Sequence, residues 1–226
     1  MKFKGESMWV VKIGGSLLGS PELERWLEIF VKFSDGKIII VPGGGVFANA
    51  VREAQKLSKI SDAAAHKLAV LAMDQFGHVL HSINPKLATA SSECEIDERT
   101  WQHRAIVWLP SQMVLADDTI PQNWDVTSDS LAAWLAEKLH AKHLVLLKST
   151  KHNRAKLDKV GLNNEELAKG ELSLAEITKD GIVDFAFQNF IHNQLFSTWL
   201  LNKSDYAYFE GGTCGAALAK VASAVH

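Results

Sequence analysis

Lys12 stands two residues before Gly14-Gly15, at the end of the apolar run Trp9-Val10-Val11-Lys12-Ile13. A second apolar run, Ile38-Ile39-Ile40-Val41-Pro42, ends in Gly43-Gly44-Gly45. Both runs are followed by helical patterns. Glycines at such turns let backbone N–H groups approach an anion with no Cβ in the way, and a helix N-terminus beyond them favours phosphate. A lysine at the end of the first run can place its ammonium over a transferring phosphoryl group, a reaction catalysed mainly by positioning and charge neutralisation. Taken one at a time, these features have plainer readings: a surface lysine on an edge strand and a flexible loop. Together they describe two neighbouring anion sites at one sheet edge, as transfer of a phosphoryl group from a nucleotide to an acceptor requires.

A third cluster, Trp124-Asp125-Val126-Thr127-Ser128-Asp129-Ser130, opens an apolar helix, with Thr127 or Ser128 as its cap and Asp129 in the first turn. Alone it reads as an ordinary helix start with a dipole-favoured acid; beside the two glycine turns, Asp129 can orient Lys12. Asp74, His78 and His81 share a helix face, which reads as a polar interface or cleft in preference to half a metal site. The chain has no Walker-type G-x-x-x-x-G-K-[ST], no G-x-G-x-x-G and no G-x-S-x-G.

The elements that must position these residues alternate. Strand-like runs at 8–13, 37–41, 104–109 and 143–147 are separated by helical patterns at 21–33, 46–57, 62–82 and 128–140. Ser20 with Pro21, and Ser61 or Asp62, mark helix starts. The segment 85–102 carries no clear pattern, 151–159 reads as a charged loop, 185–201 as a helix and 206–209 as a late strand. Strand–helix alternation predicts a mostly parallel sheet covered on both faces.

Composition bounds the rest. A chain of 226 residues with 47% hydrophobic content can bury a sizeable core. A net charge of −2 with dispersed basic residues argues against nucleic-acid binding. With only two cysteines, Cys94 and Cys214, the composition argues against a disulfide framework or a cysteine zinc site and fits a reducing cytoplasm. No leader-like or membrane-length apolar run is present.

At Lys12-Ile13-Gly14-Gly15-Ser16, Gly43-Gly44-Gly45 and Thr127-Ser128-Asp129-Ser130-Leu131-Ala132-Ala133 the sequence resembles the amino acid kinase family. The resemblance implies a three-layer αβα sandwich, ATP and Mg²⁺ as cofactors, a small-molecule substrate and a homo-oligomer pairing through the long helix that begins near Asp62. It implies one domain over 1–226, with an acceptor-binding part up to about residue 125 and a nucleotide-binding part beyond it. Val41 to Ala48, Ser61 to His66 and Ala72 to Gln75 resemble the branch that phosphorylates an aminomethyl-furan-methyl phosphate to a diphosphate in methanofuran-type cofactor biosynthesis.

Carried onto this chain, the family pattern makes Lys12 the stabiliser of the transferred group and Asp129 its orienter. Gly14, Gly15, Ser16, Ser149 and Thr150 become nucleotide contacts, and Gly43, Gly44, Gly45 and Asp125 acceptor contacts. To these we add Arg52 for a substrate phosphate, which its planar fork suits, and Asp62 for a substrate ammonium. The chain departs from the pattern after Thr150, where Lys151-His152-Asn153-Arg154 replace acidic residues and a glycine. It departs again at Gly211-Gly212-Thr213-Cys214, where the family's late lysine has no counterpart, so Lys148 is expected to supply that charge. The expected function is an ATP-dependent small-molecule kinase. A non-catalytic nucleotide or anion binder, and a kinase of a carboxylate or carbamate, stay open as alternatives.

Overall fold

The computed structural model describes residues 8–149, 171–172, 174–192, 194–209 and 223–225. Five of its strands are β1 (Trp9–Ile13), β2 (Ile38–Pro42), β3 (Ala88–Ala90), β4 (Ile106–Trp108) and β5 (His143–Lys148). Three more, β6 (Glu171–Leu172), β7 (Ser197–Asn202) and β8 (Ser223–Val225), complete one eight-stranded sheet of order β3-β4-β2-β1-β5-β7-β8-β6. The six strands from β3 to β7 run parallel; β8 runs antiparallel to β7 and parallel to β6. The expected mostly parallel sheet is therefore present.

The helices are α1 (Pro21–Phe33), α2 (Gly45–Ser58), α3 (Asp62–Ile83), α4 (Glu93–Trp101), α5 (Ser111–Val114), α6 (Ser128–Lys138), α7 (Leu174–Lys179) and α8 (Phe187–Ile191). Their sequences explain their places. Pro21 opens α1 at a position where its missing N–H costs nothing, Glu22 and Glu24 meet the positive end of the dipole, and Leu23, Trp26, Leu27 and Phe30 form one buried stripe. Ser61 caps α3, its hydroxyl accepting from the Ala64 N–H at 3.2 Å.

β1 and β2 are buried along their whole length, as strands covered on both faces must be. Side chains alternate between faces, so Trp9, Val11 and Ile13 join one core cluster with Leu23, Trp26 and Phe30 of α1 and Phe76 and Leu80 of α3. Val10 points the other way, into a second cluster with Leu131, Ala132 and Leu135 of α6, Ile177 of α7 and Phe187 of α8. Helices on both faces of one sheet make the three-layer αβα architecture.

Several boundaries differ from the sequence expectation. The patternless stretch 85–102 holds strand β3 and helix α4. Ser92 caps α4 by accepting from the Glu95 N–H, while the Glu95 carboxylate accepts from the N–H and hydroxyl of Ser91. The S-x-x-E spacing of a capping box was legible there. The helix expected over 185–201 is only the short α8, followed by β7. Ser197 to Leu201 pair residue by residue with His143 to Leu147 of β5, in a strand that buries Thr198, Leu200 and Leu201. The strand expected at 206–209 is instead part of a 3₁₀ helix, Lys203–Phe209. The Asp205 carboxylate accepts from the Asn202 N–H and turns the chain there, which sets Phe209 against Trp26. The charged stretch 151–159 and the second glycine turn Gly211-Gly212 lie outside the described residues.

Candidate active site

The chemistry-bearing residues meet where β1, β2 and β5 end together. Lys12 pairs in register with Val41 of β2 and Leu146 of β5. Lys148 lies two residues beyond Leu146 on the same strand, so both lysines project from one face of the sheet. That face is the one α6 covers, and α6 brings Asp129 to them in its first turn.

The resulting contacts are short. Asp129 Oδ1 lies 2.9 Å from the Lys12 ammonium. The Lys148 ammonium donates to Asp129 Oδ1 at 2.8 Å and to Oδ2 at 2.7 Å. Lys12 is 6% exposed and Asp129 4%. Burial pushes the Asp129 carboxyl upward, but the Lys12 and then the Lys148 ammonium outweigh it and hold it at about 2. Lys148 is pushed down to about 8, first by burial and then by the Lys12 charge, against the pull of Asp129. Two cations share one anion, so the cluster carries a surplus positive charge shielded from water. A phosphoryl group is the kind of ligand that balances such a surplus.

The two glycine turns lie against each other beside this cluster. Gly14 N–H donates to the Leu147 carbonyl at 3.3 Å and Gly43 N–H to the Ile13 carbonyl at 2.8 Å, tying the ends of β5, β1 and β2 into one edge. A Cβ at Gly15 would stand 2.2 Å from Gly45 Cα and 2.3 Å from its nitrogen, and Gly45 itself holds a φ of 54°. Both contacts are backbone atoms that cannot rotate away. Gly15→Ala is therefore expected to force the turns apart and to cost about 3 kcal/mol or more of stability, read by urea unfolding; a loss under about 0.5 kcal/mol would contradict this packing. Ser16 Oγ and Ser149 Oγ hydrogen-bond at 2.8 Å, joining the first turn to the end of β5.

A cavity of about 350 Å³ opens from these turns between α2, α3 and the start of α6. Gly15, Ser16, Gly43, Gly44, Gly45 and Arg52 line one part of it. The Arg52 guanidinium stacks on the Trp124 ring at 4.3 Å and donates to Asn49 Oδ1 at 3.1 Å. The Trp124 indole N–H donates to Gln55 Oε1 at 2.6 Å, and the Gln55 amide donates to Asp62 Oδ1 at 2.8 Å.

The structure thus gathers Lys12, Asp129 and Lys148 into one cluster and places Gly14, Gly15, Ser16, Ser149, Gly43, Gly44, Gly45 and Arg52 around it or along the cavity. It does not bring Asp62 or Asp125 into the cavity lining. Asp62 is an exposed residue bonded to Gln55, and Asp125 is exposed, with its backbone carbonyl accepting from the Ala186 N–H at 3.0 Å. Thr150 lies outside the described residues. The Asp74 carboxylate accepts from the Ser111 N–H, and His81 pairs with the Leu87 carbonyl. No group of three or more His, Cys, Asp and Glu suited to a metal ion occurs among the described residues.

Asp184 is the residue that sequence reasoning missed. Neither Thr127 nor Ser128 caps α6 with its side chain; Thr127 is the cap by position alone. The Asp184 carboxylate does the work instead, accepting from the N–H and hydroxyl of Thr127 at 2.9 and 2.8 Å, from the Ser130 N–H at 3.0 Å, and from the Ser130 hydroxyl. Burial and the neighbouring Asp129 charge push Asp184 upward, while the Ser130 and Thr127 bonds pull it back. Its four bonds fix the turn of helix that carries Asp129.

A model of the amino acid kinase family matches residues 7–152, which span β1 to β5 and every residue of the lysine–aspartate cluster. The chain belongs to the amino acid kinase family. Among family members, the [5-(aminomethyl)furan-3-yl]methyl phosphate kinase of Methanocaldococcus jannaschii is 34% identical over 140 residues, 62% of this chain and 64% of that one. Uridylate kinase from Archaeoglobus fulgidus superposes with a TM-score of 0.66 at 17% identity, covering 97% of this chain and all (100%) of that one. UMP kinase from Ureaplasma parvum gives 0.62 at 14% identity, covering 87% of this chain and 89% of that one. At those identities the two superpositions establish the amino acid kinase fold alone. The described residues contain no helix long and apolar enough to cross a membrane.

Proposed function

We propose that this protein is an ATP-dependent kinase that transfers the γ-phosphoryl group to a phosphate on a small acceptor. The observation that carries the reading is the buried Asp129 bridging Lys12 and Lys148 beside two interlocked glycine turns. Family membership supports the reaction class. The match to the M. jannaschii enzyme supports an aminomethyl-furan-methyl phosphate as the acceptor and a diphosphate as the product.

In this reading the nucleotide phosphates lie on Gly14, Gly15 and Ser16, with Ser149 alongside and Thr150 next in sequence. The acceptor phosphate lies against Gly43, Gly44 and Gly45, with Arg52 within reach. An oxygen of the acceptor phosphate attacks the γ-phosphorus in line; the new P–O bond forms as the bond to ADP breaks, and ADP departs with the electron pair. The attacking oxygen is already anionic near neutral pH, so no general base is needed. Charge spreads over the transferred oxygens, and Lys12 and Lys148, aimed by Asp129, neutralise it. Mg²⁺ entering with ATP would be held chiefly by the nucleotide's phosphates and would add charge neutralisation there, while Asp129 stays engaged by the two lysines. A homo-oligomer joined through α3 is part of the proposal, supported by Leu68 and Leu71 exposed on its outer surface.

Lys148 gives the reaction a pH signature. Its folded pKa of about 8 lies below the ordinary lysine value, so it loses its proton, and its charge, as pH rises through about 8. Accordingly kcat/KM is expected to fall on the alkaline side with an apparent pKa near 8. Lys148→Arg, which stays charged, should move that limb upward. A flat profile up to pH 9.5 in wild-type protein would contradict a Lys148 that acts as a cation and loses its charge near pH 8.

The direct test is ADP release from ATP and Mg²⁺ with and without the furan acceptor. Acceptor-dependent release supports the kinase. Saturable ATP binding without any release would favour the non-catalytic binder.

A further inference from the structure

Arg52 is an exposed arginine that pairs with no carboxylate among the described residues; Glu53, its neighbour on α2, pairs with Lys56 instead. Its partners, Trp124 and Asn49, are both neutral. The guanidinium lies over the Trp124 ring, 4.3 Å from the ring centroid, and donates to Asn49 Oδ1 at 3.1 Å. Asn49 takes only one of the five N–H groups of a guanidinium, so further donors and the whole positive charge remain. Arg52, Asn49 and Trp124 line the same cavity as Gly43, Gly44 and Gly45, and its described lining includes no Asp or Glu. An unbalanced cation in that place suits an anionic group on a ligand.

Trp124 is itself tethered. Its indole N–H donates to Gln55 Oε1 at 2.6 Å, and the Gln55 amide donates to Asp62 Oδ1 at 2.8 Å. An indole nitrogen only donates and a carboxylate only accepts, so the Gln55 amide can face one way alone. Neither Gln55 nor Asp62 is in the cavity lining. The contacts therefore form one chain, Asp62–Gln55–Trp124–Arg52, which runs from the start of α3 through α2 to the cavity wall. A loose arginine on a helix surface samples many rotamers, and ordering it on binding costs affinity. A guanidinium already settled on a ring and a carbonyl avoids much of that cost.

We propose that Trp124 is the positioning residue of the acceptor-phosphate subsite: it holds the Arg52 guanidinium ready for that phosphate, and Gln55 and Asp62 hold Trp124. The proposal rests on the kinase reading and deepens it, giving Trp124 a role and making Asp62 an anchor of the subsite in place of a substrate contact.

The test is steady-state kinetics with the furan acceptor at saturating ATP, on variants whose thermal melts match wild type. Arg52→Ala should raise the acceptor KM by about 10- to 100-fold, the range of a charge-assisted phosphate contact, with kcat within about threefold and the ATP KM unchanged. Trp124→Leu leaves Arg52 present but unheld and should raise the same KM by about 5- to 20-fold. Trp124→Phe keeps a ring for the guanidinium and should recover part of that loss. The decisive variant combines Arg52→Ala with Trp124→Leu. Trp124 acts through Arg52, so the double variant should be no worse than Arg52→Ala alone. Effects that multiply would mean that Trp124 touches the acceptor itself and would overturn the proposal. So would an unchanged acceptor KM in Trp124→Leu, or an equal rise in the ATP KM. Each of these leaves the kinase reading standing. Should Trp124→Leu fail to fold, ¹H–¹⁵N NMR of wild-type protein decides, with the Arg52 Nε–H signal assigned through Arg52→Lys. That signal should stand displaced by the Trp124 ring current before any ligand is added, and should move again with the acceptor. A signal at the position of an ordinary exposed arginine, or one indifferent to saturating acceptor, would overturn the proposal. Wild-type protein that releases no ADP with this acceptor would overturn the furan acceptor itself, and this inference with it.

Discussion

Lys12→Ala is expected to lower kcat by about a thousandfold or more, the scale on which a cation aimed at a transferring phosphoryl group acts. The same change should leave the fold nearly untouched. In wild-type protein two ammonium groups share the Asp129 carboxylate, so removing one leaves a balanced Lys148–Asp129 pair with no orphaned buried charge. Steady-state kinetics and a thermal melt on the same preparation separate the two effects. Loss of activity with a nearly unchanged melt is the expected result. A variant within tenfold of wild type would show that Lys12 is a structural lysine.

Asp129→Asn should do harm of a different kind. An amide cannot balance two ammonium groups, and breaking a buried ion pair from one side costs about 3–5 kcal/mol. Activity should fall as well, because neither lysine is then held in place. The pH dependence carries a recognisable sign. In wild type the Asp129 carboxyl is held at about 2, below its ordinary 3.8, so its stabilisation is present above the ordinary value and lost as pH falls through about 2. The variant lacks that acid loss. Lys148 behaves oppositely: its folded pKa of about 8 lies below the ordinary 10.5, so stability rises as pH increases from about 8 toward 10.5. In the variant the attraction of Asp129 for that proton is gone, and the gain should begin at lower pH. Urea unfolding at pH 7 and pH 9 measures this; a variant as stable as wild type at pH 7 would contradict the buried three-residue cluster.

The site was legible in the sequence where it is built from local signals. Apolar runs ending in glycine announced β1 and β2, and the Thr127-to-Ala133 helix start announced Asp129. Lys148 was expected as the second cation because the family's late lysine has no counterpart in this chain, and the parallel register of β1 and β5 sets it beside Lys12. What stayed hidden depends on contacts between distant segments. Asp184 caps α6 across a separation of 54 to 57 residues, and no local pattern marks it. Asp62 looked well placed for an ammonium, yet Gln55 holds it outside the cavity lining. The fold was misread where tertiary pairing overrides a short pattern. Strand β3 is only three residues, Ala-Thr-Ala, with no hydrophobic run to announce it. Strand β7 follows so closely on α8 that the two merged into one apparent helix.

The most direct measurement is ³¹P NMR of wild-type protein with ATP, Mg²⁺ and [5-(aminomethyl)furan-3-yl]methyl phosphate. The account predicts that the acceptor's phosphate signal gives way to the two coupled signals of a diphosphate, in step with ADP, and that Lys12→Ala shows neither. ATP consumed while the acceptor signal persists unchanged, or a Lys12→Ala sample that forms the diphosphate at the wild-type rate, would contradict it.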